Sequence, residues 1–273
     1  MRFTKATVAA LGIASFMALV TAADANGRRG SIKDEPYAAP HIWTGAYVGA
    51  HLGAAWTDGD TLNTANSGPL SGLFEGGLDE GALPSNVSHD ATTFTGGVSI
   101  GYNFQRGSIV YGVEADISFL DHDETSNVTT DVGINPTLTT TTETRVDWLS
   151  TLRARVGVLA TANTLAYLTG GLAFGSVEAS TNIAIPAPGS CAANAFCSAG
   201  STSDVQFGWT IGGGLEHVFA RGWSLKAEYL YFDLGDVTYT GRATAGFVAG
   251  LPTLDSRVSV DGHIARVGLN YKF

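Results

Sequence analysis

From about residue 43 to the end, the chain alternates apolar residues with polar residues or glycine. A period of two is the signature of β-strands with two unlike faces. The run "WTGAYVGAHLGAAW" puts Val48, Ala50, Leu52, Ala54 and Trp56 on one face and Gly45, Tyr47, Gly49, His51 and Gly53 on the other. "FTGGVSIGYNF" repeats the pattern with Phe94, Val98, Ile100, Tyr102 and Phe104. After a tight turn, "IVYGVEADISFL" sets Tyr111, Val113, Ala115, Ile117 and Phe119 against Gly112, Glu114, Asp116 and Ser118. "RVDWLSTLRARVGVL" groups Val146, Trp148, Leu152, Ala154, Val156 and Val158 against Thr151, Arg153, Arg155 and Gly157. "LAYLTGGLAFGSV" is apolar on both faces. "VQFGWTIGGGLEHVF", "WSLKAEYLYF" and a closing strand over about 257–273 complete a set of eight. Short turns follow the second, fourth and sixth strands. Long polar stretches, including one from Thr57 to about Ala91, follow the others and are expected to be loops.

An all-β, antiparallel, up-and-down meander of eight strands with this asymmetry predicts a transmembrane β-barrel. Its short turns would lie in the periplasm and its long loops outside the cell. The aromatic residues support that orientation. Phe104, Phe219 and Trp223 fall at strand ends beside the short turns, whereas Trp56, Trp148 and Trp209 fall near the opposite rim, so the two sets predict girdles at the two membrane interfaces. A soluble barrel would hide its apolar face and show its charges. Here the charges occupy the face opposite the apolar one, which predicts Glu114, Asp116, Arg153, Arg155, Glu216, Lys226, Glu228 and Arg266 inside the barrel. Four acids and four bases can pair across strands, so the interior reads as a packed polar plug and not as an ion path. Strand period alone explains the two-residue spacing of Glu114 and Asp116, and no substrate cleft is implied; the chain is expected not to be an enzyme.

The N-terminus supplies the matching address. Arg2 and Lys5, an apolar run from Ala6 to Val20, and Ala23-Asp24-Ala25 form a secretory signal peptide over residues 1–25. Residues 26–42 read as a periplasmic tail and 43–273 as the barrel. Composition agrees with export into an unusual solvent. Only 15% of residues are charged and 35 are glycine, against about 25% charged in typical soluble domains. Cys191 and Cys197, the only cysteines, suggest one local disulfide in an oxidising compartment. No metal site is indicated; "DHDETSN" lacks the glycine and spacing of a calcium loop.

Taken in order, "WTGAYVGAHLGAAW", "YGVEADI", "DWLSTLRARVGV", "YLTGGLAFG", "GWTIGGGLE", "WSLKAEYLYFDLG" and the terminal "RVGLNYKF" resemble the small OmpA-like outer-membrane β-barrel proteins of alphaproteobacteria, which include the major surface antigens of Brucella and rhizobia. The resemblance implies an eight-stranded, monomeric barrel among outer-membrane lipids and lipopolysaccharide. It also implies insertion by the barrel assembly machinery, with Val267, Leu269, Tyr271 and Phe273 forming the C-terminal insertion signal. The group is described as structural and antigenic, and some members bind haemin. Of the residues here, His89 and His122 are the candidates for haemin ligation. Residues 57–92 carry six acids and 121–143 carry five, with no Lys or Arg in either, so the outer surface is expected to be acidic. The expected function is support of the envelope and display of surface loops, with a small-solute channel and a surface adhesin as alternatives; no nucleic acid is implied.

Overall fold

A computed structural model describes residues 43–68, 75–76, 78–79, 83–120, 123–130, 138–185, 196–245 and 252–273. The signal peptide, the tail, Cys191 and His122 lie outside these residues, as does the side chain of His89. The described chain forms β1 (Gly45–Ala65), β2 (Asn86–Arg106), β3 (Ile109–Leu120), β4 (Asp123–Thr130), β5 (Leu138–Thr161), β6 (Thr164–Ile185), β7 (Phe196–Ala220), β8 (Trp223–Ala245) and β9 (Pro252–Lys272). Every ladder is antiparallel. β1 pairs with β9 from Tyr47–Lys272 to Ala65–Leu254, which closes the sheet into a barrel.

Among the described residues there are nine strand segments, one more than the eight expected. The ring nonetheless has eight positions, because β3 and β4 lie end to end against the same partner, β5. The greater departure concerns length. The stretches expected to be long loops are largely strand: β1 continues to Ala65, β2 begins at Asn86, and the threonine-rich stretch before Arg145 belongs to β4 and β5. Thr, Ser and Asn alternating with small residues serve a strand wall that faces water on its outer side, so polarity there did not mean loop.

Side-chain direction follows the period of two. Val48, Leu52, Phe94, Val98, Ile100, Val113, Leu152, Val156, Leu168, Leu172 and Ile211 all point outward and are exposed; Phe94 is 86% exposed. A continuous apolar outer surface of this kind is the face a bilayer covers. The strand that is apolar on both faces sorts itself the same way, with Leu165 and Tyr167 inward and Leu168 and Leu172 outward. On β7 the girdle residues Trp209 and Phe219 are ten residues apart, or about 33 Å along the strand. A tilt of about 40° brings that to about 25 Å along the normal, the height of the apolar band of such barrels.

One expected face is wrong. Val146, expected with Leu152 on the outer side, is buried inside at 1% exposure. A β-bulge between Val146 and Leu149 inserts an extra residue against β6 and reverses the parity of β5. Trp148 sits at this bulge, half-exposed, and packs edge-on against Phe174 with ring centroids 6.4 Å apart.

Candidate functional site: the barrel interior

The lumen is filled in layers. At the short-turn end, Trp43 packs with Val110, Leu165 and Tyr167. Trp43 precedes β1 and is held by its backbone N–H donating to Gln105 Oε1 (3.2 Å) and its indole Nε1–H donating to the Ala162 carbonyl (3.4 Å). Above it lies the charged layer. Above that, Leu149, Val177, Leu230, Phe232, Val258, Ile264 and their neighbours form a second apolar layer. Beyond the outer girdle the lumen is lined by hydroxyl and amide groups, among them Thr61, Asn63, Thr142, Thr181 and Ser256. Thr181 Oγ1 and Tyr239 Oη are 2.6 Å apart, and burial pushes the Tyr239 phenol above its ordinary range.

All eight charged residues assigned inward by parity are inside, none more than 5% exposed, and they form one network. Glu114 on β3 is the hub. Its carboxylate accepts from Arg153 Nη2, from Lys226 Nζ (2.9 Å to each oxygen) and from the Tyr47 hydroxyl (2.6 Å). Arg153 on β5 also donates to Asp116 Oδ2 (2.8 Å), Glu228 Oε1 (3.1 Å) and Thr151 Oγ1 (2.9 Å). Arg266 on β9 bridges Asp116 (Nη1 to Oδ1, 3.1 Å) and Glu228 (Nε to Oε2, 2.8 Å), and its Nη1 donates to His51 Nε2 (3.2 Å). Towards the short turns, Arg155 pairs with Glu216 at 2.7 Å, and Glu216 also accepts from Ser224 (2.6 Å) and Asn270 (2.9 Å).

The layer therefore balances four carboxylates against four cations, each bonded to at least one group of opposite charge. That is the condition under which buried charge is tolerated, because each ion loses water and regains hydrogen bonds. The pattern follows from the ladder. Glu114 lies opposite Arg153 and Glu228 opposite Arg266, so two of the ion pairs come from register alone; Glu216 lies opposite Lys226, yet it bonds Arg155 while Lys226 bonds Glu114.

The network contains members that charge counting misses. Tyr47 donates to Glu114 and accepts from Arg155 Nη1 (3.1 Å); Tyr167 donates to Glu228 (2.8 Å), and the Arg155 guanidinium stacks 4.1 Å above its ring centroid. Glycines opposite them make the space. A Cβ on Gly101 would come within 2.4 Å of the Tyr47 ring, and one on Gly214 within 2.8 Å of the Tyr167 hydroxyl. Inward parity already marked Tyr47 and His51 in β1. The second apolar layer carried little signal although most of it lies within the expected strands: Leu149, Val177, Leu230 and Phe232 are inward residues on strands whose outer face is apolar too, so the two faces lose their contrast.

The remaining candidates are placed as follows. Phe104, Phe219, Trp223, Tyr271 and Phe273 are exposed at the short-turn end, where Trp223 and Tyr271 pack with ring centroids 4.9 Å apart and Tyr271 meets Phe273 at 5.3 Å. Trp56 and Trp209 are exposed at the other rim, and Val267 and Leu269 face outward. Cys197 is buried and disulfide-bonded. Among the described residues no group of three or more His, Cys, Asp or Glu side chains could hold a metal ion.

A closed antiparallel ring, apolar outside and ion-paired within, defines an outer-membrane β-barrel. The family described as "Outer membrane protein beta-barrel domain" matches residues 6–273, and the chain belongs to it. The "31 kDa outer-membrane immunogenic protein" of Brucella melitensis is 34% identical over 244 residues, covering 87% of this chain and 88% of that protein. The "25 kDa outer-membrane immunogenic protein" of Brucella abortus is 25% identical over 94% of this chain and 92% of its own length. The "22 kDa outer membrane protein" of Rhizobium leguminosarum is 31% identical over 54% of this chain and 55% of its own length. Among solved structures, the outer membrane protein OprG from Pseudomonas aeruginosa covers 85% of this chain and 99% of its own length, with 12% identity and a TM-score of 0.50; that likeness is one of fold. The protein is located in the outer membrane.

Proposed function

We propose that the protein is a closed, non-enzymatic structural barrel that anchors an acidic surface structure in the outer membrane and contributes to envelope integrity. The observation that carries this reading is the sealing of the charged layer. The ion pairs lie between the Trp43 plug on one side and the Leu149–Phe232–Ile264 layer on the other. An ion that entered would have to cross apolar packing and break pairs that no water compensates. Partners in this reading are lipids, lipopolysaccharide and the assembly machinery. Val267, Leu269, Tyr271 and Phe273 act as both membrane contacts and insertion signal. The short turns face the periplasm, and the strand extensions stand outside the outer girdle.

The test is single-channel conductance of the refolded mature chain in a planar bilayer, with insertion verified by heat-modifiable gel mobility. The expected result is verified insertion without reproducible openings. Stable openings would refute the closed barrel and make the interior charges a selectivity site.

A further inference from the structure

The Trp43 plug does not fill the short-turn mouth of the barrel. Beside it, towards β7, β8 and β9, lies a cavity of about 460 Å³, within the range of about 300–1,000 Å³ usual for small-molecule sites. Trp43 and Val218 give it an apolar wall. Glu216, from the lower edge of the charged layer, forms its inner end, Asn103 lines it from β2, and Arg221 of the β7–β8 turn and Lys272 at the end of β9 lie at its rim. Asn103 is the informative member. It is 3% exposed, yet its Oδ1 has no hydrogen-bond partner. An unpaired buried carbonyl costs free energy, so one that lines a cavity points to a donor that belongs there.

Charge is graded along the cavity. At the inner end the Glu216 carboxylate accepts from Arg155, Ser224 and Asn270, and it repels any further anion. At the rim Arg221 is exposed. Lys272 Nζ donates to the Thr44 carbonyl (3.1 Å), which leaves two of its three donors. Among the lining residues the rim holds these two bases and one carboxylate, that of the terminal Phe273. A ligand with a donor at one end and an anion at the other is therefore oriented, donor inward. Depth sets its length. Glu216 lies four residues inside Ala220 on β7, about 13 Å along the strand and about 10 Å along the normal at a tilt of about 40°. An extended chain of about three residues has that span. We propose that this cavity binds a short zwitterionic peptide of two or three residues, with its amino end towards Glu216 and Asn103 and its C-terminal carboxylate on Arg221 and Lys272. A plain anion would leave Asn103 unpaired and meet Glu216, and a neutral solute would have no partner at the rim. The inference goes beyond the closed-barrel reading and uses it only to place the mouth in the periplasm. Conductance and peptide binding fail separately, because the second apolar layer lies above the cavity.

The test is isothermal titration calorimetry of the refolded mature chain in detergent micelles, with trialanine as the probe. One saturable site with a Kd of about 1 mM or tighter is expected. Blocking either end of the probe, as N-acetyl-trialanine or as trialanine amide, should weaken binding about ten-fold or more, since each end makes a charge-assisted contact. Arg221→Gln should weaken trialanine by a similar factor and trialanine amide no further. Arg221 is exposed on a turn, so heat-modifiable mobility should show that variant intact. Asn103→Leu, in barrels that pass the same check, should abolish binding. The proposal is overturned by the absence of a saturable site at about 10 mM trialanine, or by an Arg221→Gln variant with unchanged affinity. Equal affinity for free and blocked peptides would also overturn it, as adsorption to the micelle or the girdle. So would propionate binding as tightly as trialanine, which would reduce the cavity to a plain anion site.

Discussion

Removing one cation from the charged layer tests the account of the interior most directly. Arg153 is 1% exposed and donates to Glu114, Asp116, Glu228 and Thr151. Arg153→Gln keeps much of the volume but leaves four carboxylates facing three cations between two apolar layers. Breaking a buried pair by removing one partner costs about 3–5 kcal/mol, mostly as the penalty of the stranded charge. With a urea dependence of about 3 kcal/mol per molar, the unfolding midpoint should fall by about 1–1.7 M. The assay is reversible urea unfolding in lipid vesicles, followed by tryptophan fluorescence and heat-modifiable mobility. Adding Glu114→Gln restores neutrality, so the double variant should recover part of the loss, with a coupling of about 1–3 kcal/mol in the double-mutant cycle. The reasoning is refuted if Arg153→Gln shifts stability by less than about 0.5 kcal/mol, a change typical of surface sites. Strictly additive losses would also refute it.

Four further outcomes are expected. Gly101→Ala should cost about 1–3 kcal/mol by overpacking against Tyr47, and Tyr47→Phe in the same background should regain part of it, read by the same unfolding assay. Trp43→Ala should cost about 3–5 kcal/mol as a large core truncation yet produce no channel openings in the planar bilayer, because the second apolar layer remains. Leu152→Arg, which places a charge on the lipid side, should cost about 2–4 kcal/mol near mid-bilayer. The bulge in β5 predicts that a cysteine at Val146 resists a water-soluble maleimide whereas one at Asp147 reacts; labelling of both would return Val146 to the outer face.

The inner part of each strand was legible in the sequence because lipid and ion pairs impose a strict alternation there. Glu114, Arg153, Lys226 and Glu228 could be placed by parity alone, since one face had to be apolar. Three things were not legible. The strand extensions have water outside and hydroxyls or small apolar groups inside, so "TLNTA" in β1 and "LTTTTET" in β5 lose the contrast that marks a strand. The bulge at Asp147 and Trp148 reverses parity without any glycine or proline to announce it. The partners of each ion required the registers, and the Tyr47 and Tyr167 hydroxyls enter only once Gly101 and Gly214 are seen to make room for them.

The pairing of β1 with β9 has a consequence for how the protein comes into being. Partners such as Tyr47 and Lys272 are more than two hundred residues apart, and contacts of such sequence separation are the slowest to form. Until the last strand has been synthesised and delivered, β1 has an open edge and the chain cannot complete a barrel anywhere along its route. Fragments that lack the final strand are held as edge-exposed, aggregation-prone chains. Closure is thus deferred to the place where the whole chain and a bilayer are present together, and the C-terminal strand acts as the timer of assembly.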